Sequence, residues 1–189
     1  MFLENSEYSV FDFTDKQRTK VGVYSDQLCG RILCGTNPFD LIEIYTRYAG
    51  PMPSPPAWLQ SGAIIGMQGG TQAVETMHSK LKAHNTPIAA FWLQDWVGSR
   101  KTSAGKQLWW NWEIGRETYP NWEELVQEFR TSEVRVLSYI NPFLVDPTEK
   151  GNFDRNLFQE AIDKKYVITR PTGEPYWILN TSFSAVLLD

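Results

Sequence analysis

The segment IAAFWLQDWVGSRKTSAGKQLWWNWEIGRETYPNW, residues Ile88–Trp122, decides the fold of this 189-residue chain. It opens with a short apolar run, Ile88–Leu93, which ends abruptly at Gln94 and Asp95 and is followed by a long polar loop rich in tryptophan. Parallel barrel strands present residues in this way, with an apolar strand, a polar end and a variable loop. The segment therefore predicts one strand of an α/β domain with a binding loop after it.

The tryptophans of this segment indicate what the loop binds. Six of the eight tryptophans of the chain lie here. Indole rings beside amides and carboxylates suit sugars, because sugar C–H faces stack on rings while the hydroxyls need hydrogen-bond partners. Trp92, inside the strand, is expected in the core. Trp109, Trp110 and Trp112 lie close together, and since successive strand residues face opposite ways, at least some of them should line a groove.

Charge and composition exclude several classes of partner. The net charge of −4 supplies no basic field to attract phosphate backbones, which argues against a nucleic-acid partner. No apolar run approaches the roughly 20 residues that span a bilayer, and the first residues lack the pattern of a secretory signal. We therefore expect a cytoplasmic protein with no membrane partner. Its oligomeric state is left open.

The cysteines and histidines give no sign of a metal site. Cys29 and Cys34 are expected to be reduced thiols, because two cysteines make neither a disulfide framework nor a zinc site. His78 and His84 fall on or just after a predicted helix, without an acidic or cysteine cluster nearby. The sequence predicts no cofactor.

Residues 1–50 are predicted to be the end of a β-rich, sandwich-like domain followed by a linker helix. Asn37-Pro38 is typical of a helix start, and that helix should run to about Tyr48. The proline-rich segment 51–56 follows, and we place the domain boundary there. Short strands are predicted from β-branched and aromatic residues at Tyr8–Phe13, Lys20–Tyr24 and Arg31–Cys34.

Residues 51–189 are predicted to alternate strands and helices. This rhythm is typical of a parallel sheet. Because a closed barrel needs eight such units and three are present, the chain is expected to be part of something larger. The expected strands are Gly62–Met67 (buried on both faces), Ile88–Leu93 and Val134–Ile140; the helices start at Thr71, Asn121 and Asp154; Tyr166–Thr169 and Tyr176–Leu179 form a hairpin; and Ala185–Asp189 opens a further element.

Polar side chains come directly after each predicted parallel strand. They are Gln68, Gln94, Asp95 and Asn141. Taken singly, each could be a turn or helix-cap residue. Together they occupy equivalent positions at the carboxyl ends of strands, where barrel enzymes keep their sites, so we predict a binding site there.

Several motifs resemble those of one enzyme family. TRYAGPMPSPPAW (Thr46–Trp58) is similar to the entry into the catalytic barrel of glycoside hydrolase family 31, the α-glucosidase family, and FWLQDW and LSYINPFL look like its second and third barrel strands. The sulfoquinovosidase branch is the closer match. Its three motifs read here GMQGGT (Gly66–Thr71), WLQDW (Trp92–Trp96) and TSAGKQLWW (Thr102–Trp110).

The resemblance implies a fold and a set of sugar-binding residues. The fold would be a partial (β/α)8 TIM barrel, about its first three to four strands, preceded by a β-rich segment from an N-terminal β-sandwich. Gln68 and Gln94 would contact hydroxyls of the bound sugar, and Asp95 would have a binding or scaffold role. Trp110 would help to hold a sulfonate through its indole N–H. Gln107 stands where the branch has a sulfonate-binding arginine, so a neutral amide replaces a charge.

The same resemblance implies retaining hydrolysis of terminal α-linked sugars without a metal or organic cofactor. The two catalytic carboxylates of the family come from later strands, so none is expected here, and the chain alone should be inactive. The alternative is a naturally short, non-catalytic carbohydrate-binding or interaction protein. A weaker alternative is a sugar-phosphate site, with an anion at the helix start after QGGT.

Overall fold

The computed structural model describes residues 1–180 and 182–189. The chain forms two units, Met1–Ser54 and Pro55–Asp189, and the division falls inside the proline-rich segment.

The first unit contains four short antiparallel strands and one helix. Strand β1 pairs with β4, and β2 forms a hairpin with β3. The Asn37 side chain accepts hydrogen bonds from the backbone N–H groups of Phe39 (2.9 Å) and Asp40 (3.2 Å), which confirms the predicted helix start. The predicted strand at Arg31–Cys34 is wrong, because pairing with β1 places the strand one residue earlier and ends it at Arg31. The elements are β1 Phe2–Leu3, β2 Ser9–Asp15, β3 Arg18–Val23, β4 Gly30–Arg31 and α1 Pro38–Ala49.

The second unit is built on a three-stranded parallel sheet of order β5-β6-β9, and helices α2 and α3 connect its strands. The segments after β6 and β9 form two antiparallel sheets, the ribbon β7-β8 and the sheet β10-β12-β11. The strands are β5 Ala63–Met67, β6 Ile88–Leu93, β7 Ser99–Thr102, β8 Gly105–Leu108, β9 Arg135–Ser138, β10 Phe143–Leu144, β11 Trp177–Asn180 and β12 Phe183–Leu187. The helices are α2 Gly70–Ala83, α3 Trp122–Thr131 and α4 Leu157–Asp163, with short 3-10 turns at Ala57–Gln60 and Thr148–Lys150.

One face of the parallel sheet carries the core. Phe91 and Leu93 are fully buried against the helices, and the ring of Phe91 stacks on that of Phe129 with centroids 5.1 Å apart. Trp92 lies between them in sequence and therefore faces the other way, where it is 43% exposed. The expectation that Trp92 fills the core is wrong. The same alternation leaves Ile64 42% exposed, so β5 is not buried on both faces.

The helix starts differ from the sequence prediction. Helix α2 begins at Gly70 after a left-handed Gly69, without a side-chain cap from Thr71. Asn121 precedes α3 but makes no capping hydrogen bond. Helix α4 begins at Leu157, where the Asn156 side chain accepts a hydrogen bond from the backbone N–H of Gln159 at 2.9 Å, rather than at Asp154.

The C-terminal strands pair differently from the predicted hairpin. Strand β11 pairs antiparallel with β12, which is the central strand of its sheet. The segment predicted as the partner of β11 meets the second arm only beside the turn, where Thr169 bridges Pro175 and the Tyr176 N–H donates to the Ile168 carbonyl at 2.8 Å. Val167, at the other end of this segment, bridges Leu188. Phe183–Leu187 form β12, the central strand of a small antiparallel sheet. The described residues form a mixed α/β structure of small sheets, and they contain no closed barrel.

Candidate functional site

Two glutamines meet at the carboxyl edge of the parallel sheet. Met67 and Leu93 are register partners at the ends of β5 and β6, so the next residues, Gln68 and Gln94, emerge side by side. The Gln68 Nε2 donates a hydrogen bond to Gln94 Oε1 at 2.6 Å. Gln68 is exposed and Gln94 is half-buried. The pair still offers the Gln68 carbonyl as an acceptor and the Gln94 amide as a donor, which is the combination that vicinal sugar hydroxyls require.

Asp95 is held by protein donors on both carboxylate oxygens. Its Oδ1 accepts the hydroxyl of Tyr119 at 2.6 Å, and its Oδ2 accepts the backbone N–H of Gly69 at 2.8 Å. Asp95 is 7% exposed and Tyr119 is fully buried. Burial raises the pKa of Tyr119, and the hydrogen bond to Asp95 raises it further. Asp95 thus ties the end of β6 to the turn after β5, and this geometry favours the scaffold role over direct contact with a ligand.

The turn after β5 requires its glycines. Gly70 has a φ of +82°, and a Cβ there would lie 2.4 Å from the backbone oxygen of Thr118. That same oxygen accepts the backbone N–H of Thr71 at 3.1 Å. The amides of Gly69 and Thr71 are therefore occupied by acceptors of the loop that follows β6. They are not available to a phosphate, which removes the basis for the sugar-phosphate alternative.

Thr118 and Tyr119 are site residues that the sequence did not reveal. They support the glutamine-bearing turn from about 50 residues further along the chain. In the sequence Tyr119 is a single tyrosine in a polar loop, and no periodicity or motif distinguishes it or Thr118. Only the folded loop brings its hydroxyl to the carboxylate.

Indole hydrogen bonds from two tryptophans connect the loop after β6 to the segment after β9. The Trp96 Nε1 donates to the backbone oxygen of Tyr139 at 2.7 Å, and the Trp112 Nε1 donates to that of Phe143 at 2.8 Å. Both indoles line a cavity of about 330 Å³ that Arg116 also lines. The expectation that some of the loop tryptophans line a groove is confirmed for Trp112. Trp109, by contrast, is 7% exposed and packs in the core.

Gln107 and Trp110 lie on and after the β7-β8 ribbon. The Thr102 hydroxyl donates to Gln107 Oε1 at 3.3 Å. The Trp110 ring stacks on Phe143, with centroids 5.3 Å apart, and meets Phe183 edge to face at 5.1 Å. Within residues 1–180 and 182–189, no hydrogen bond or ring contact joins either residue to the glutamine pair. Hydrogen bonds bring together Gln68, Gln94 and the turn held by Asp95, and these bonds include neither Gln107 nor Trp110.

The remaining polar candidates have local roles. The Asn141 Oδ1 accepts the backbone N–H of Phe143 at 2.8 Å, and its Nδ2 donates to the Tyr139 hydroxyl at 3.0 Å, as in a turn. The carboxylate of Asp146 accepts hydrogen bonds from the hydroxyl and the backbone N–H of Thr148, and the hydroxyl contact lowers the pKa of Asp146.

Among the described residues no group of three His, Cys, Asp or Glu could hold a metal ion. In the same part of the chain, no helix has the length and apolar character needed to cross a membrane.

A parallel sheet with amide side chains at its carboxyl edge and indoles in the adjoining loops is typical of α/β domains that keep their sites at that edge. Comparison with known families agrees. Residues 52–189 match the model of the glycosyl hydrolases family 31 TIM-barrel domain, and the chain belongs to this family. The resemblance found in the sequence is thereby confirmed.

Sulfoquinovosidases are among the relatives. The chain is 28% identical over 187 residues to the sulfoquinovosidase of Escherichia coli K12, covering 99% of this chain and 26% of that protein. It is 31% identical over 174 residues to that of Agrobacterium fabrum, covering 92% of this chain and 25% of the relative. A solved family 31 sulfoquinovosidase from E. rectale, in complex with the aza-sugar inhibitor IFGSQ, superposes with a TM-score of 0.77 at 29% identity, over 99% of this chain and 27% of that one. The chain thus spans about a quarter of the length of these relatives.

Proposed function

We propose that the protein is a retaining glycosidase that hydrolyses terminal α-linked sugars, and that this chain carries sugar-binding residues of its active site. The observation that carries the proposal is the hydrogen-bonded pair Gln68–Gln94 at the carboxyl edge of the parallel sheet. Membership of family 31, the sulfoquinovosidases among the relatives and a solved relative with a bound aza-sugar inhibitor support it. In this proposal the parallel strands are the first three of a (β/α)8 barrel, residues 51–189 begin that barrel, and residues 1–50 end a β-sandwich domain with its linker helix.

Each site residue has a role in this proposal. The free acceptor of Gln68 and the free donors of Gln94 bind neighbouring hydroxyls of the sugar. Asp95 fixes the orientation of the turn that carries Gln68 and does not touch the sugar, because its carboxylate is buried and each oxygen accepts a protein donor. Gln107 and Trp110 meet the substituent at the far end of the sugar ring.

The reaction needs two carboxyl groups about 5–5.5 Å apart, one as nucleophile and one as general acid/base. Asp95 is unsuited to either role, since its oxygens are held by Gly69 and Tyr119. We therefore place both catalytic carboxylates outside residues 1–189, and we expect this chain alone to bind sugar without hydrolysing it. The proposed reaction uses neither a metal nor an organic cofactor.

The test compares hydrolysis of 4-nitrophenyl α-D-glucopyranoside and 4-nitrophenyl α-sulfoquinovoside by the purified native protein. Gln94→Ala should lower kcat/KM on the preferred substrate about tenfold or more, because each hydrogen bond to a sugar hydroxyl contributes roughly 1–2 kcal/mol. Gln127→Ala, at an exposed position of helix α3, is the matched control and should leave kcat/KM unchanged. Absence of hydrolysis of either substrate by the native protein, together with sugar binding, would replace the proposal with a non-catalytic carbohydrate-binding role.

A further inference from the structure

Arg100 on strand β7 occupies an unusual position. Its guanidinium carbon lies 4.3 Å from the ring centre of Trp109 and 4.0 Å from that of Phe183, so the group is held between two aromatic faces. Its register partner on β8 is Gln107. Contact with two rings restricts the orientation of the guanidinium.

The donors of this guanidinium lack acceptors. Arg100 Nε and Nη2 are buried and make no hydrogen bond to any described residue. Arg100 takes part in none of the ion pairs among the described residues. Burial lowers the pKa of Arg100, and the nearby charge of Glu149 opposes that shift without making an ion pair with it. The Arg100 guanidinium therefore keeps donors that no described protein acceptor takes.

A cavity of about 450 Å³ adjoins Arg100. Its volume falls within the range of about 300–1,000 Å³ that small-molecule sites occupy. Its charged lining is balanced, with two cations, Arg100 and Lys101, and two carboxylates, Asp146 and Glu149. Trp177 adds a half-exposed indole, and hydroxyls of serine and threonine complete the wall.

The balance of charge decides which ligand fits. An anion would meet two carboxylates along with the two cations, and a cation would meet the guanidinium, so neither gains a net field. A polyhydroxylated ligand uses the whole lining, because each hydroxyl both donates to a carboxylate and accepts from a guanidinium. Its C–H face can also lie on an indole.

We propose that the cavity beside Arg100 is a saccharide-binding site, distinct from the glutamine pair, in which sugar hydroxyls hydrogen-bond to the Arg100 guanidinium and to the carboxylates of Asp146 and Glu149. Neither Gln68 nor Gln94 lines this cavity. The inference goes beyond the proposed hydrolysis and does not depend on it. It gives the β7-β8 ribbon a binding role of its own.

The test is a calorimetric titration of the purified native protein with methyl α-D-glucopyranoside. The measurement is made in a Gln94→Ala background, so that binding at the glutamine pair is weakened and the second site is observed. Arg100→Met keeps an unbranched chain between the two rings but removes the donors, and it should weaken binding at least tenfold. Lys106→Met, on the same ribbon but outside the cavity lining, is the control and should bind as its parent does.

A second variant guards against misfolding of Arg100→Met. Ser184 lines the cavity and is exposed, so Ser184→Trp should fill the space while keeping Arg100, and it should abolish binding. Melting curves of both variants report whether the fold is intact. Unchanged affinity in Ser184→Trp, or equal affinity in Arg100→Met and Lys106→Met, would overturn the proposal. Tighter binding of inorganic phosphate than of the glucoside, lost in Arg100→Met, would overturn it in favour of an anion site.

Discussion

Removing one hydroxyl group tests the arrangement beneath the glutamine pair. In Tyr119→Phe the ring stays in place, edge to face with Trp122 at 5.6 Å, and the bond from the hydroxyl to Asp95 is lost together with the contact of the hydroxyl with the backbone N–H of Gly70. That bond is 2.6 Å long, buried, and made to a carboxylate. A hydrogen bond to a charged group contributes about 1.5–3 kcal/mol, and here its loss leaves a buried carboxylate oxygen without a donor. We therefore expect the free energy of unfolding to fall by about 1.5–3 kcal/mol.

The assay is thermal and urea unfolding followed by circular dichroism. For a chain of this length the expected loss corresponds to a decrease in Tm of about 3–12 °C. Tyr176→Phe is the control, because Tyr176 is half-exposed, and its substitution should change stability by less than about 0.5 kcal/mol. Equal stability of the two variants would refute the inference that the Tyr119 hydroxyl holds Asp95.

The same bond predicts a pH dependence. The pKa of Tyr119 is raised in the folded state, so the folded protein keeps this proton at pH values where the unfolded chain has lost it. The contribution of Tyr119 to stability is therefore complete below the ordinary tyrosine pKa of about 10 and declines as the pH rises above it. Tyr119→Phe should lack this part of the alkaline loss of stability, and a comparison of urea midpoints between pH 8 and pH 11 measures the difference.

Three further predictions concern the turn, the surface and the substrate. Gly70→Ala should destabilise the protein by about 1–3 kcal/mol or more in urea unfolding, because its positive φ and the loop oxygen that would lie 2.4 Å from a Cβ both oppose a side chain, whereas Gly66→Ala, with open space around it, should be tolerated. The two hydrogen bonds from Arg116 lower the pKa of Glu123 to about 2, so carboxyl NMR titration should find Glu123 charged down to that region and Arg116→Met should return its pKa toward the ordinary range. Gln107→Arg should raise the ratio of kcat/KM for the α-sulfoquinovoside over that for the α-glucoside, and an unchanged ratio would contradict the role proposed for position 107.

The glutamine pair could be predicted from sequence because parallel strands make position informative. Residues that directly follow two adjacent parallel strands meet at one edge, so the ends of two apolar runs were enough to bring Gln68 and Gln94 together. The same reasoning failed for Trp92. Its apolar neighbours mark a strand, but they do not show that only one face of this strand packs against helices.

The support of Asp95 could not be predicted, because it comes from an irregular loop. Tyr119 reaches Asp95 across 24 residues that contain a ribbon, several turns and four tryptophans, and no periodicity fixes where such a loop returns. The pairing of β11 with β12 was missed for a related reason. A nearer segment looked like the partner of β11, and strand pairing between segments is decided by tertiary packing rather than by local pattern.

The two indole hydrogen bonds from Trp96 and Trp112 have a practical consequence for redesign of the substrate preference. They attach the loop after the second parallel strand to backbone carbonyls on either side of Asn141, in the segment after the third. A library that varies one of these segments alone would leave a half-buried indole or a carbonyl without its partner. Grafting from a relative should therefore transfer residues 96–112 and 139–143 together, as one cassette, so that the donors and acceptors arrive matched.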